Sequence, residues 1–284
     1  MTNALTAWSA SRLENAAPLA ALPAGKQAFI RIRSLHKSFG PRHILRGIDL
    51  DIYRGETLVI IGGSGSGKTT LMRHLMGFLV PDEGKIMVDD VDICHAGVKA
   101  LAAWRKRLGV VFQSGALLTS LTVLENVGLP LVEDDHRPTA EIRQRVVEAL
   151  GKVNLPAEEI LALKPASLSG GMCKRVSIAR AIIRKVDALL YDEPTTGLDP
   201  VTVTVIDDLI RDLQRKMGVT SVVITHDIHA AFAIADRIAF LFYGRIVAVG
   251  NEAQIKANPH PALQQMLSGS LIGPLNDIEL QTGK

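Results

Sequence analysis

The chain has 284 residues, of which 47% are hydrophobic and 21% are charged, proportions that are ordinary for a globular protein. Its net charge of +3 is too small to indicate binding to nucleic acid or strong adsorption to a membrane. Its two cysteines, Cys94 and Cys173, are too few for a disulfide framework and favour a reducing compartment. No apolar run reaches the length of about 18 residues that a membrane-spanning helix needs.

The N-terminal segment, residues 1–27, is rich in alanine and proline and has no basic residue before Arg12. We therefore expect a flexible leader rather than a secretory signal. From Ala28 to Ile52 apolar and polar residues alternate, which predicts half-buried antiparallel strands. Continuous apolar runs further along predict strands that are covered on both faces, namely TLVII (57–61), GVVF (109–112), ALLYD (188–192) and SVVIT (221–225).

Helical segments alternate with these buried strands. The predicted helices are KTTLMRHLMGFL (68–79), TAEIRQRVVEALGKV (139–153), MCKRVSIARAIIRK (172–185) and a segment that Asp199 and Pro200 begin and Gly218 ends. Thr122 and Glu125 form a capping box, and no buried strand is expected between Thr122 and Lys185. The sequence therefore predicts an α/β fold with a mainly parallel core sheet, an antiparallel β subdomain and an α-helical insert at about 117–185.

The segment GGSGSGKTT, residues 62–70, fits a phosphate-binding loop. It stands between a predicted buried strand and a helix, which is the context that such a loop requires. Lys68 is suited to neutralise phosphate oxygens and the Thr69 hydroxyl to bind Mg²⁺. The loop residues expected at the nucleotide are Gly62, Gly63, Ser64, Gly65, Ser66, Gly67, Lys68, Thr69 and Thr70.

Other polar residues follow the ends of buried strands. Asp192 ends ALLYD and Glu193 follows it. Asp192 can join the Mg²⁺ shell, and Glu193 can orient or deprotonate the attacking water. Such a pair is as often only the solvated end of a strand, but the phosphate loop favours the functional interpretation. His226 and Gln113 follow two further strands, at the edge where open parallel sheets bind ligands; a lone histidine is more often structural.

A second place for an anion precedes the helix at 172–185. Ser169, Gly170 and Gly171 combine a hydroxyl and flexible backbone with a helix N-terminus, a combination that binds phosphate. This segment has no lysine of its own in the position that Lys68 occupies in the phosphate loop. The sequence thus predicts two phosphate sites of different kinds.

The motifs in this order resemble those of the ATPase subunit of ABC transporters, over about residues 28–250. The resemblance makes Phe39 the aromatic residue that stacks on adenine, Gln113 the Q-loop and LSGG (168–171) the signature. It also makes LLYDE (189–193) the Walker B motif, GLD (197–199) with Asp199 the D-loop, and His226 the switch histidine. It implies the ABC type of P-loop NTPase fold, ATP and Mg²⁺ as cofactors, Glu193, His226 and Gln113 as catalytic residues, and Thr69, Gln113 and Asp192 as metal ligands.

In that family two ATPase domains close head to tail, so the signature of each caps the ATP that the other holds. The resemblance therefore implies a second copy of this chain as a partner and two composite sites. The phosphate expected at Ser169, Gly170 and Gly171 belongs to the partner's nucleotide.

Three segments outside the shared ATPase motifs resemble the ATPases of MCE-type phospholipid transporters, which include the Mla system: residues 112–131, 168–175 and 255–267. This implies an integral membrane permease, an MCE-domain lipid-binding protein and a small STAS-domain protein as partners, and a peripheral location on the cytoplasmic face of the inner membrane. An ABC importer for a small polar solute remains an alternative. A soluble ABC protein is less favoured because tandem ATPase domains and long coiled-coil inserts are absent from the sequence.

Two features are open to more than one interpretation. Met172 stands where the family commonly has glutamine, so it is either a neutral change or a mark of the subfamily, and a thioether cannot supply the hydrogen bonds of an amide. Leu117, Leu118 and Leu121 either receive a permease helix or belong to the core of the insert.

The tail, residues 251–284, contains Leu263, Met266, Leu267 and Leu271 at helical spacing. This apolar stripe either packs on its own domain or holds the second ATPase, and the resemblance favours the second interpretation.

Overall fold

A computed structural model describes residues 28–135 and 138–275. The predicted leader, residues 1–27, lies outside the described residues, as does the end of the tail, residues 276–284. The strands are β1 (Ala28–Phe39), β2 (Arg42–Tyr53), β3 (Thr57–Ile61), β4 (Glu83–Val88), β5 (Val91–Asp92), β6 (Leu108–Val111), β7 (Ala188–Asp192), β8 (Thr220–Thr225), β9 (Arg237–Phe242) and β10 (Arg245–Gly250). The helices are α1 (Lys68–Leu75), α2 (Val98–Lys106), α3 (Val123–Asp135), α4 (Thr139–Lys152), α5 (Ala157–Ile160), α6 (Gly170–Ile182), α7 (Pro200–Met217), α8 (Ile228–Ile234), α9 (Glu252–Ala257) and α10 (Pro261–Ser268).

Two sheets form the body of the molecule. The larger has six strands in the order β10-β9-β3-β8-β7-β6, parallel except for β10, which pairs antiparallel with β9. The smaller has four antiparallel strands in the order β2-β1-β4-β5. With helices covering the larger sheet, this architecture confirms the predicted α/β fold class.

The parallel sheet separates two hydrophobic cores. In β3 the residues Val59 and Ile61 point into the core shared with the helical insert, whereas Leu58 and Ile60 point into the core shared with the smaller sheet. Side chains alternate across a strand, so a strand buried on both faces has to be apolar at every position. This is why the continuous apolar runs predicted these strands correctly.

The helical insert comprises α3 to α6. The capping box at its start is present: the backbone N–H of Thr122 donates to Glu125 Oε2 at 2.7 Å, and the N–H of Glu125 donates to Thr122 Oγ1 at 3.3 Å. Asn126 is fully buried in the second turn, and its side-chain amide donates to three carbonyl oxygens of residues 118–122. The buried side chain of Asn126 thus stabilises the turn that leads into the insert.

The predicted bounds of three helices are wrong. The helix predicted over residues 172–185 spans Gly170–Ile182 instead. The helix after the phosphate loop ends at Leu75 rather than at residue 79, because Gly77 adopts a left-handed conformation with φ of +66°. The tail helix α10 ends at Ser268, so Leu271 does not continue the apolar stripe and is 86% exposed.

The tail helix packs on its own domain. Ala262 and Leu263 are fully buried, and Met266 and Leu267 pack partly buried against the core that contains the insert. This arrangement corresponds to the first of the two interpretations of the stripe. A contact of the tail with a second copy stays a prediction. None of the helices in the two described ranges combines the length and apolar character that crossing a bilayer requires.

Candidate functional site

Four neighbouring parallel strands end at one edge of the larger sheet. β3 leads into the phosphate loop, β8 into His226, β7 ends at Asp192, and β6 leads to Gln113. Ile61 pairs with Thr225 and Asp192 with Ile224, so these strands end level with one another. The structure thereby brings these sequence-predicted residues to the same edge.

The phosphate loop joins β3 to α1 through backbone that only small residues accommodate. Gly67 caps α1 with φ of +109°, a left-handed value that favours glycine. At Gly62 a Cβ atom would lie 2.3 Å from the carbonyl oxygen of Leu241, so any side chain there would displace β9. The Ser66 hydroxyl is buried in the loop and has no hydrogen-bond partner among the described residues.

Lys68, in the first turn of α1, is hydrogen-bonded to the start of the loop. Its Nζ donates to the carbonyl oxygens of Gly62 and Gly63 at 2.8 and 2.9 Å. Burial lowers the pKa of Lys68, an effect that the charges of Glu193 and Asp192 oppose. The charges of the protein therefore offset only part of the cost of burying the ammonium group. An anion bound in the loop would stabilise its charged form.

The acidic pair and the histidine lie side by side. His226 Nδ1 lies 2.9 Å from Glu193 Oε2, which also accepts a hydrogen bond from Thr196 Oγ1 at 3.1 Å. The Glu193 side chain is 14% exposed and that of His226 is 64% exposed. Burial, followed by the charge of Glu193, raises the pKa of Asp192, so a nearby cation would favour its ionised form.

The Glu193 backbone is unusual, with φ of +48°, a conformation that is rare for residues other than glycine. Its N–H donates to the carbonyl oxygen of Ile224 on β8 at 2.9 Å, which fixes the residue beyond the end of β7. Such local strain often accompanies a functional position.

The signature segment forms the start of α6. Ser169 caps this helix and accepts from the N–H of Met172 at 3.2 Å, and both Ser169 and Gly170 are exposed. At Gly171 a Cβ atom would lie 2.6 Å from Thr202 Cγ2, so this segment is close to the start of α7. There Asp199 caps α7 by accepting from the N–H groups of Val201 and Thr202 at 3.1 and 3.0 Å.

Two further candidates, Phe39 and Met172, lie outside the phosphate loop and the ends of the parallel strands. Phe39 ends β1 and is 48% exposed, with Lys37 Nζ 5.7 Å from its ring centroid. The strand that follows Phe39, β2, reaches the phosphate loop. A Cβ atom at Gly67 in that loop would lie 2.9 Å from Cδ2 of Leu45 on β2. Met172 is partly buried against the core that contains the insert, a position to which a flexible thioether adapts easily.

One residue near the site, Lys174, was not predicted, because no motif includes it. It is buried on α6, and its Nζ donates to the carbonyl oxygen of Gln113 at 2.6 Å. The Gln113 side chain itself is exposed. A lysine in an amphipathic helix is usually solvated, so only the three-dimensional contact distinguishes this one.

Comparison with known proteins places this geometry in a family. The family model described as ABC transporter matches residues 45–196. The intermembrane phospholipid transport system ATP-binding protein MlaF of Haemophilus influenzae is 37% identical over 249 residues, which cover 88% of this chain and 94% of that protein. The probable ribonucleotide transport ATP-binding protein mkl of Mycobacterium leprae is 36% identical over 246 residues, covering 87% of this chain and 70% of that protein.

A solved structure shows the same fold. The ATP-binding cassette MJ0796, in a dimeric post-hydrolysis state bound to ADP and Pi, superposes with a TM-score of 0.71 at 34% identity, covering 78% of this chain and 98% of that chain. The matched region of the family model includes the phosphate loop, the signature segment and the acidic pair, all of which the fold holds in place. The chain therefore belongs to the ABC transporter family and is one of its ATP-binding, ATP-hydrolysing cassettes.

Proposed function

We propose that this cassette powers phospholipid transport between the inner and outer membranes. The observation that carries the proposal is the similarity to the phospholipid transport protein MlaF, which extends over 94% of that protein. A match of this extent includes segments beyond the nucleotide site, where transporters with different substrates are expected to differ. The cassette would act as a peripheral subunit on the cytoplasmic face of the inner membrane.

In this proposal the phosphate loop, residues 62–70, binds the phosphates of ATP through its backbone N–H groups. Lys68 would exchange its two loop carbonyls for phosphate oxygens, and the unpartnered Ser66 hydroxyl is available to donate. Phe39, which is exposed at the end of β1, would stack on adenine. The donor set fits a triphosphate, since it combines a lysine with successive N–H groups at a helix N-terminus.

Thr69, Gln113 and Asp192 would hold Mg²⁺, since hydroxyl, amide and carboxylate oxygens are the ligands that this ion prefers. When bound, the ion neutralises charge on the phosphates. Glu193 would orient or deprotonate the attacking water, and His226 would hold the carboxylate in place through their 2.9 Å contact. The two residues directly follow the ends of the paired strands β7 and β8.

A second copy of the chain would complete each site. Ser169, Gly170 and Gly171 are at an exposed helix N-terminus, which attracts phosphate, and Asp199 lies at the start of the adjoining helix. We propose that these residues contact the ATP held by the partner. The dimeric state of MJ0796 supports this arrangement.

The membrane partners belong to the same proposal. A permease helix would contact the loop after Gln113, where Leu118 is 46% exposed and Leu117 packs partly buried against the core. An MCE-domain lipid-binding protein and a small STAS-domain protein would join the permease and the cassette. The resemblance of residues 112–131 and 255–267 to MCE-type ATPases supports these partners.

Affinity purification from detergent-solubilised membranes would test the proposal. We expect a permease, an MCE-domain protein and phospholipid to co-purify with the full-length chain, as identified by mass spectrometry. Purification of the Lys68→Met variant is the matched control, since it should retain the partners while losing ATP turnover. Recovery of a permease without an MCE protein or lipid would contradict the lipid substrate.

An importer for a small polar solute is the second candidate. The similarity to mkl, named as a probable ribonucleotide transport protein, favours it, and the ATPase chemistry would be the same. In that case a solute-binding protein should co-purify in place of the MCE protein.

A further inference from the structure

The loop that carries Gln113 is fastened to the signature helix α6 by three side chains. Lys174 Nζ donates to the carbonyl oxygens of Gln113 at 2.6 Å and Phe112 at 3.3 Å. Ser177 Oγ and Arg180 Nη2 both donate to the carbonyl oxygen of Gly115, at 2.9 and 2.8 Å. Arg180 Nη1 also donates to the carbonyl oxygen of Ala116 at 2.7 Å.

These three residues are spaced by three positions, which places them on one side of a helix. They bind four carbonyl groups of residues 112–116, so this loop is attached to α6 along most of its length. Since α6 begins at the signature segment, a single rigid element connects Ser169 to Gln113. Under the roles proposed above, these two residues serve different ATP molecules, one held by the partner and one by the same subunit.

Burying the ammonium group of Lys174 has a cost in free energy. Lys174 is 4% exposed, burial lowers its pKa, and the charge of Asp192 opposes that shift. Placing an ammonium group here is unfavourable unless its hydrogen bonds are worth more than the lost hydration. A residue that only filled space could be apolar, so the charge points to a role in holding the loop.

We propose that Lys174 is a positioning residue for Gln113, which makes Gln113 move with the signature helix rather than with its own strand β6. Closure of α6 onto the partner's ATP would then carry Gln113 toward the nucleotide of its own subunit. Binding at one composite site would thereby prepare the other. The inference rests on the proposed roles of Gln113 and the signature segment.

The test uses ATP turnover by the full-length protein. Lys174→Met keeps a long, flexible side chain but removes the donors, and we expect kcat to fall about tenfold with little change in KM, since the hydrogen bonds lost involve a charged donor. Lys174→Arg restores charged donors and should recover most of the activity. Arg175→Met is the matched control, because Arg175 donates to the carbonyl oxygen of Asn154 at 2.9 Å, within the insert, and kcat should be unchanged.

A double-mutant cycle with Gln113→Ala separates the proposed role of Lys174 from the proposed role of Gln113. If Lys174 acts through Gln113, Lys174→Met should cause no further loss in the Gln113→Ala background. An equal loss in both backgrounds, or an unchanged kcat in Lys174→Met, would overturn the inference while leaving the role of Gln113 intact. An unchanged kcat in Gln113→Ala would refute the proposed role of Gln113, and the inference with it.

Discussion

Glu193 is held at the end of β7 by its backbone and its side chain together. Its N–H is bound to Ile224, and its carboxylate is in contact with His226 and Thr196. The carboxylate is therefore oriented before any substrate arrives. Pre-orientation of this kind is a principal source of enzymatic rate enhancement.

Replacing Glu193 with glutamine tests its role in hydrolysis. The amide keeps the shape and can still contact His226, but it cannot accept a proton from water, so we expect turnover to fall by about 100-fold or more. ATP should then hold the dimer closed, which size-exclusion chromatography would detect as an ATP-dependent dimer. Glu158→Gln, which removes a surface ion pair with Arg143, is the control. Turnover near the unmodified rate would remove Glu193 from the mechanism.

Asp207 is a buried carboxyl group whose Oδ1 has no hydrogen-bond partner among the described residues. Burial, and then the charge of Asp227, raises its pKa to about 6. Because this pKa is higher than in the unfolded chain, the contribution of Asp207 to stability is present at low pH and is lost as the pH rises through about 6.

Asp207→Asn removes this ionisation. At pH 8 we expect the free energy of unfolding to increase by about 1–3 kcal/mol, and the gain should shrink between pH 6 and pH 4. Denaturant titrations at these pH values measure it. Asp208→Asn, at an exposed position beside Arg211, changes the net charge equally and should have a small effect at every pH. A gain that did not depend on pH would show that ionisation of Asp207 is not its cause.

The residues predicted for the ATP site have a signal in the sequence because their chemistry is local. The phosphate loop and the acidic pair each require particular residue types at fixed spacing, directly after a buried strand. Lys174 lacks such a signal, because the carbonyl group it binds is 61 residues away in the chain. A contact with a backbone atom places no demand on the residue type of its partner.

Among the elements, the strands that are buried on both faces were predicted most accurately. β3 and β7 agree with the predicted residues at both ends. β4 and α2 were not predicted, since only two residues of β4 and only Trp104 of α2 are buried, which leaves little hydrophobic periodicity. Tertiary contacts therefore define these two elements.

The tail helix α10 gives a test at the scale of an element. Leu263 is fully buried and Leu271, beyond the end of the helix, is 86% exposed. Leu263→Ala should lower the free energy of unfolding by about 2–4 kcal/mol, because it leaves a cavity in the core. Leu271→Ala, the matched change, should have almost no effect. Equal effects of the two changes would mean that the tail helix does not pack on its own domain in solution.

At the scale of the whole molecule, the two predicted phosphate sites are at the starts of two different helices, α1 and α6. The signature glycines are close to Leu198 and Thr202 at the start of α7, and α7 belongs to the same subunit. In a two-fold symmetric dimer, each phosphate loop can be completed by the signature segment of the partner. A head-to-tail arrangement therefore uses every motif, although each chain has only one of each.

Dimers built from two different variants would distinguish sites shared between subunits from sites within one subunit. Lys68→Met disables the phosphate loop. Gly170→Asp places a negative charge at the signature, while an acidic residue in the first helical turn still favours α6 and its Cβ atom meets Leu198 at an ordinary 3.5 Å. With shared sites, a dimer that carries one change in each subunit retains one intact composite site, whereas a dimer that carries both changes in one subunit and none in the other retains no intact site.

We therefore expect the first dimer to hydrolyse ATP above the background of the second, with both purified through separate affinity tags on the two subunits. The opposite ranking would show that each subunit completes its own site. Each dimer contains the same two substitutions, so a difference between them cannot come from altered stability of the individual changes. Only the position of one ATP between two copies of the chain accounts for it.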